Sequence, residues 1–178
     1  SLKFKDKIYQ ITGNVVEFTD NDTKIYTLVL YWTDRTREAK YVKKYNDSRV
    51  LNCVVLMDNY EDITKGISQQ EIGKFSSAMD QVISNWVTEN EGTYRKLEKD
   101  RYYILFENKN IRDIIEAKFD ILNEVKKIET ENSIQPTLSI GIGDAETIQK
   151  SEEYAKISLD MALGRGGDQA VIKYDDSF

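Results

Sequence analysis

The stretch Ser158-Leu-Asp-Met-Ala-Leu-Gly-Arg-Gly-Gly-Asp-Gln-Ala-Val-Ile-Lys173 reads as a helix end, a glycine turn and a buried strand. Ile157, Met161 and Ala162 sit at helical spacing, Gly164, Gly166 and Gly167 can take the positive φ that stops a helix, and Val171 and Ile172 are strand formers. Arg165 lies in the turn. It suits a phosphate contact, and equally a C-terminal cap that complements the helix dipole.

Upstream, Thr137-Leu-Ser-Ile-Gly-Ile-Gly143 alternates Leu138, Ile140 and Ile142 with small residues. A central strand does this where a helix packs closely on one face. The run Val50-Leu-Asn-Cys-Val-Val-Leu-Met-Asp58 predicts another central strand, followed by a loop and an amphipathic helix. Ser68 and Glu71 make a capping box for that helix, and Ile72, Phe75, Met79, Val82, Ile83, Trp86 and Val87 fall on one face. Gly92 is its expected stop. Two short strands, around Thr93–Leu97 and Arg101–Glu107, are joined by Glu98-Lys99-Asp100. A second helix is expected to carry Ile111, Ile114, Ile115, Phe119, Leu122, Val125 and Ile128 in one continuous stripe. Trp86, Tyr102 and Tyr103 read as core or half-buried sheet residues.

From residue 50 the order is therefore β-α-β-β-α-β-α-β. Its β-α-β-β-α-β core is the ferredoxin-like arrangement, an α+β fold of helices on an antiparallel sheet. Residues 7–33 alternate apolar and polar positions around Thr19-Asp20-Asn21-Asp22, which predicts an antiparallel hairpin with too little core to stand alone. Residues 34–46 predict a mostly charged connector helix capped by Thr33 or Asp34.

Composition narrows the chemistry. The 178 residues are 40% hydrophobic and 31% charged, with 11 tyrosines and six phenylalanines, as in a folded soluble domain. A net charge of -6 argues against sequence-independent nucleic-acid binding. There is no histidine, which removes His-ligated zinc, Ser-His-Asp triads, histidine-ligated haem and imidazole acid-base chemistry together. Cys53, the one cysteine, lies in an apolar run and reads as a core residue. No apolar run approaches the roughly 20 residues of a membrane span.

With a strand ending in Asp58, a hairpin carrying Asp100, a Ser-Ile-Gly-Ile-Gly strand and a terminal Gly-Arg-Gly-Gly, residues 50 to 175 resemble a GGDEF domain, the diguanylate cyclase fold. The resemblance implies that Asp58 and Asp100 are candidate Mg²⁺ ligands, since this ion takes a few carboxylates plus water and phosphate oxygens. It makes Lys99 and Arg165 candidate phosphate contacts, with ATP a possible ligand. At Asp58 and Asp100, ordinary turn carboxylates remain the alternative.

Departures from the family pattern are large. Glu98-Lys99-Asp100-Arg101-Tyr102 replaces Gly-Gly-Asp-Glu-Phe, Gly66 stands where a guanine-reading Asn is usual, and Met161 replaces a triphosphate-binding Lys. Glu89 and Gly92 occupy the ends of the Arg-x-x-Asp feedback motif. Synthesis of cyclic di-GMP is not expected.

Asp58-Asn-Tyr-Glu-Asp62 and the Ala162-Leu-Gly-Arg-Gly-Gly-Asp-Gln-Ala-Val-Ile-Lys173 ending are similar to the degenerate GGDEF domain of GdpP/YybT-type cyclic di-AMP phosphodiesterases. That resemblance implies residues 1–33 as the last strands of a PAS domain, 34–49 as a connector and 50–178 as the degenerate GGDEF domain. It further implies a homodimeric, membrane-anchored bacterial parent whose PAS and DHH-type modules act in cis, with this segment on the cytoplasmic side. The phosphodiesterase residues and the haem of the PAS pocket are not expected within this chain. The alternative is a non-catalytic ferredoxin-like interaction or dimerisation domain.

Overall fold

A computed structural model describes residues 1–20 and 23–175 and divides the chain into two units, Ser1–Asn46 and Asp47–Phe178. The expected turn residues Asn21 and Asp22 lie outside the described residues.

In the first unit, β1 (Leu2–Phe4), β2 (Lys7–Asp20) and β3 (Thr23–Asp34) form an antiparallel sheet in that order, with Tyr9 opposite Asp34. Among its described residues none is buried, and Val15, Tyr26 and Leu28 are more than half exposed. The long ladder is held by backbone pairing rather than by a core. Helix α1 (Thr36–Asp47) starts where Asp34 Oδ1 accepts from the Thr36 amide at 3.0 Å. Of the two expected caps, the sequence-later Asp34 does the work. Hydrogen bonds from the Thr36 hydroxyl and amide, with Lys7 adding a third, hold its carboxyl down at about 2.

The second unit is a five-stranded sheet ordered β5-β6-β4-β7-β8. Its strands are β4 (Val50–Met57), β5 (Thr93–Lys96), β6 (Arg101–Glu107), β7 (Leu138–Gly143) and β8 (Ala170–Lys173). Every pair is antiparallel except β7–β8. That exception follows from the α-helical crossover between them, which returns the chain in the same direction. Helix α3 (Gln69–Glu89) lays Phe75, Met79, Ile83, Trp86 and Val87 onto the sheet, with Trp86 edge-on to Phe106 at 5.3 Å. Ser68 Oγ accepts from the Glu71 amide at 3.3 Å, while the Glu71 carboxylate turns to Lys74 instead of closing the capping box. Cys53 is buried, and burial pushes its thiol up.

Several sequence expectations are revised. A short helix α2 (Tyr60–Thr64) occupies the expected loop after β4. The second amphipathic helix is broken into α4 (Asn108–Glu116), α5 (Ile121–Glu124) and a 3-10 turn (Val125–Lys127). At the break Lys118 has φ 53°, with Lys118 N bonding Ile115 O and Phe119 N bonding Ile114 O. This is a Schellman ending, and Ile111 and Ile114 before it and Ile121 and Val125 after it reach the core, whereas Ile115, expected in the stripe, is left exposed beside the break. At the end of α3, Glu91 rather than Gly92 takes the left-handed conformation (φ 52°). Gly92 serves another purpose: a Cβ there would lie 2.6 Å from the Phe106 ring.

The last helix, α6 (Ile148–Gly164), also buries a different stripe from the apolar one. Of the expected positions Ala162 is buried but Ile157 and Met161 are only half-buried, and it is Ser151, Ala155 and Ser158 that meet β7. Gly141 and Gly143 receive that small-residue face, and a Cβ on Gly141 would sit 2.2 Å from the Ala155 carbonyl oxygen. Ser151 Oγ donates to Gly143 O at 2.7 Å and Ser158 Oγ to Ile142 O at 2.9 Å, so the serines bond the strand that they touch.

Candidate functional site

One end of the sheet collects the exit of β4 and the entries of β6, β7 and β8. Asp58 follows β4 directly, its amide bonded to Thr137 O at 3.0 Å. Next to it, Met57 N donates to Asp100 O at 2.9 Å, which fixes the hairpin tip beside the end of β4. The backbone thus brings Asp58 and Asp100 to adjacent strand ends, as their positions in the sequence predict.

The glycine turn closes onto the same place. Gly166 N bonds Leu163 O and Gly167 N bonds Ala162 O, a Schellman ending with Gly166 at φ 106° and Gly167 at φ 77°. Gly164 needs no special conformation there, since of the three glycines only Gly166 and Gly167 have positive φ. The turn then presents the Asp168 amide to Asp58 Oδ2 at 3.0 Å. A Cβ on Gly167 would lie 2.9 Å from that oxygen, so besides the strain of its φ any other residue would displace the Asp58 carboxylate. Asp58 Oδ1 is buried with no hydrogen-bond partner.

The cations are placed differently. Arg165 is the C-cap of α6, with its backbone amide shared among carbonyls of the last turn and its side chain exposed. Lys99 is exposed at the hairpin tip beside Glu98, which makes a loose 3.8 Å pair with Arg101. Gly66 has φ 79° and open space around it, and Met161 is half-buried. Among the described residues no three His, Cys, Asp or Glu side chains form a metal-binding group. The carboxylate groups gathered at this end are Asp58, with its orphaned Oδ1, half-buried Asp100, and Asp168, which pairs with Lys126.

Residues that sequence reasoning passed over hold this end together. Asn59 Nδ2 donates to Gln135 O at 2.8 Å and its Oδ1 accepts from Thr137 N at 3.1 Å, pinning the segment before β7 to the exit of β4. Lys126 pairs with Asp168, tying the 3-10 turn to the glycine turn. Lys126 and Gln135 also line a cleft of about 400 Å³ with Ile128, Thr130 and Ile134. The signal available beforehand was an Asn directly after a strand and an Asp after Gly-Gly, both frequent turn residues.

Residues 55–177 match the family model described as "Cyclic-di-AMP phosphodiesterase GdpP-like, GGDEF domain". The chain is 29% identical over 164 residues to the cyclic-di-AMP phosphodiesterase GdpP of Geobacillus thermodenitrificans, covering 89% of this chain and 25% of that protein. It is 30% identical over 174 residues to the cyclic-di-AMP phosphodiesterase PdeA of Listeria monocytogenes, covering 92% and 26%. The chain spans about a quarter of the length of these relatives. Among solved structures it is similar to the FimX GGDEF domain from Pseudomonas aeruginosa, with a TM-score of 0.58 at 18% identity over 78% of this chain and 92% of that one. It is similar also to the GGDEF domain of DgcB from Caulobacter crescentus, with a TM-score of 0.58 at 12% identity over 72% and 78%.

Proposed function

This chain belongs to the family of GGDEF domains of GdpP-like cyclic-di-AMP phosphodiesterases, and from that membership we propose that it is the regulatory relay segment of such an enzyme, with a residual Mg²⁺-dependent ATP site at one end of its sheet. The observation that carries the site is the convergence of Asp58, Asp100 and the Arg165–Asp168 turn at adjacent strand ends. Asp58 Oδ1 and the Asp100 carboxylate are oxygen donors of the kind Mg²⁺ takes, with water and phosphate oxygens completing its shell. Bound there, the ion supplies charge neutralisation for phosphate oxygens. Lys99 and Arg165 reach the phosphates as exposed point and forked charges.

The same geometry argues against cyclase activity. Lys99 and Glu98 put side chains where a glycine pair lets a nucleotide approach the backbone. Nor does this chain carry a histidine for a DHH-type centre, so hydrolysis of cyclic di-AMP belongs to another part of the parent. The parent is proposed as membrane-anchored; in this chain no described helix is long and apolar enough to cross a membrane. An interaction domain without nucleotide chemistry is favoured by one contact, the Asp168 amide already filling Asp58 Oδ2.

Calorimetric titration of ATP, GTP, cyclic di-AMP and cyclic di-GMP with Mg²⁺ separates these readings. Weak Mg²⁺-dependent ATP binding is expected, abolished by Asp58→Asn or Asp100→Asn. Lys99→Ala should cost about 1 kcal/mol of binding, less at high salt. Full ATP binding in both Asp variants would place the site elsewhere, and no binding at all would leave the interaction reading.

A further inference from the structure

On the face of the sheet opposite Tyr102, α6 covers β7 and β4 but leaves β6 and β5 open. Between them lies a cleft of about 640 Å³, within the size of small-molecule sites. Its floor is Val54, Leu159 and the ring of Tyr103, and Leu97 stands at the rim. Tyr103 is anchored by its hydroxyl, which donates to Asn52 Oδ1, so the ring is a fixed wall.

The polar groups are uneven. Lys156 and Glu152 neutralise each other at 2.6 Å along α6. Arg101 is matched less closely: its Nε is buried without an acceptor, and its pair with Glu98 is a loose 3.8 Å. A dehydrated guanidinium nitrogen without an acceptor costs about 1–3 kcal/mol, and an Arg fork is matched by a planar carboxylate. Asp160 also lines the cleft, so a second negative charge on a ligand would be repelled.

We propose that this cleft binds a monoanionic amphiphile, an aliphatic or aromatic carboxylate, with its carboxylate on Arg101 and its apolar body between Tyr103, Val54 and Leu159. The cleft adjoins the proposed nucleotide end, since Arg101 directly follows Asp100, but it opens on the sheet face opposite the core residue Tyr102, and octanoate there needs neither Asp58 nor Mg²⁺.

The probe is octanoate, titrated into the 178-residue chain and followed by amide and methyl NMR shifts, with octylamine and octyl phosphate as comparison arms. Octanoate should shift Val54, Tyr103 and Leu159 in a saturable way, and octylamine should not. Arg101→Gln should weaken octanoate at least tenfold, whereas Arg112→Gln, an exposed arginine on α4, should leave it unchanged. Because Arg101→Gln alters a strand start, Asp160→Lys provides a second reading on an exposed residue: removing the repulsion should tighten octanoate three- to tenfold. No saturable shift in the cleft, equal binding of octylamine, tighter binding of dianionic octyl phosphate, or affinity unmoved by both substitutions would each overturn the assignment.

Discussion

Replacing Gly141 by alanine tests the packing on which the whole second unit depends. The new Cβ would stand 2.2 Å from Ala155 O, 2.3 Å from Leu159 N and 2.8 Å from Leu159 Cα, where ordinary contact begins at 3.4 Å. All three are backbone atoms of α6, so no side chain can swing away. The helix must retreat by about 1 Å, and overpacking of this kind costs about 1–3 kcal/mol. Retreat also stretches the buried bonds Ser151 Oγ–Gly143 O and Ser158 Oγ–Ile142 O, each worth about 1 kcal/mol. The expected loss is about 3–5 kcal/mol. Gly73→Ala is the counterpart: Gly73 lies in α3 with nothing within 4 Å of where a Cβ would stand, so helix propensity alone should stabilise the variant by up to about 1 kcal/mol. Urea titration followed by Trp86 fluorescence in a Trp32→Phe background reads both. A Gly141→Ala variant within about 1 kcal/mol of the parent, or a Gly73→Ala variant the less stable of the two, would refute the close-packed helix–strand account.

Two further outcomes follow from hydrogen bonds. Ser151 Oγ accepts from Asn52 N at 2.9 Å while donating to Gly143 O, so Ser151→Ala removes two buried hydrogen bonds; the same urea titration should show a loss of about 1–3 kcal/mol, larger than for Ser158→Ala, which removes one. Asp34, held at about 2 by the Thr36 bonds, has a folded value below its unfolded one, so its contribution is present above the unfolded carboxylate range near pH 4 and is lost as pH falls towards 2. Carboxyl NMR should show it titrating last among exposed aspartates, and Thr36→Ala, which keeps the amide bond, should move its midpoint up; an unmoved midpoint would remove the Thr36 hydroxyl as a cause.

How far the sequence carries this structure depends on which atoms do the work. The strands β4, β6 and β7 and the apolar face of α3 were legible because their side chains carry the period directly. The buried stripe of α6 was not, since Ser151 and Ser158 count as polar until their hydroxyls meet strand carbonyls. The break after Glu116 was hidden for a related reason: Lys118 and Phe119 adopt positive φ without being glycine, and the stripe of apolar residues continues across the break unchanged. Gly92 was legible as a necessary glycine but for the wrong cause, because its constraint is the Phe106 ring on another strand.

At the candidate site the division falls between side chains and backbone. Asp58 and Asp100 could be placed at neighbouring strand ends from motif order alone. What the Asp58 carboxylate touches could not, because its partner is the Asp168 amide, a group every residue but proline possesses. That contact also gives the glycine turn its meaning. Gly167 has no Cβ so that a carboxylate can approach, and the approach fixes the turn from which Arg165 projects. The two oxygens of Asp58 are therefore unequal: Oδ2 organises the turn, while Oδ1 is buried without a partner and is the oxygen to which the proposed Mg²⁺ site assigns the ion. Asp58→Asn keeps an acceptor for the Asp168 amide but removes the charge, so it separates the roles, whereas Asp58→Ala would disturb both and would lower stability along with any ATP binding.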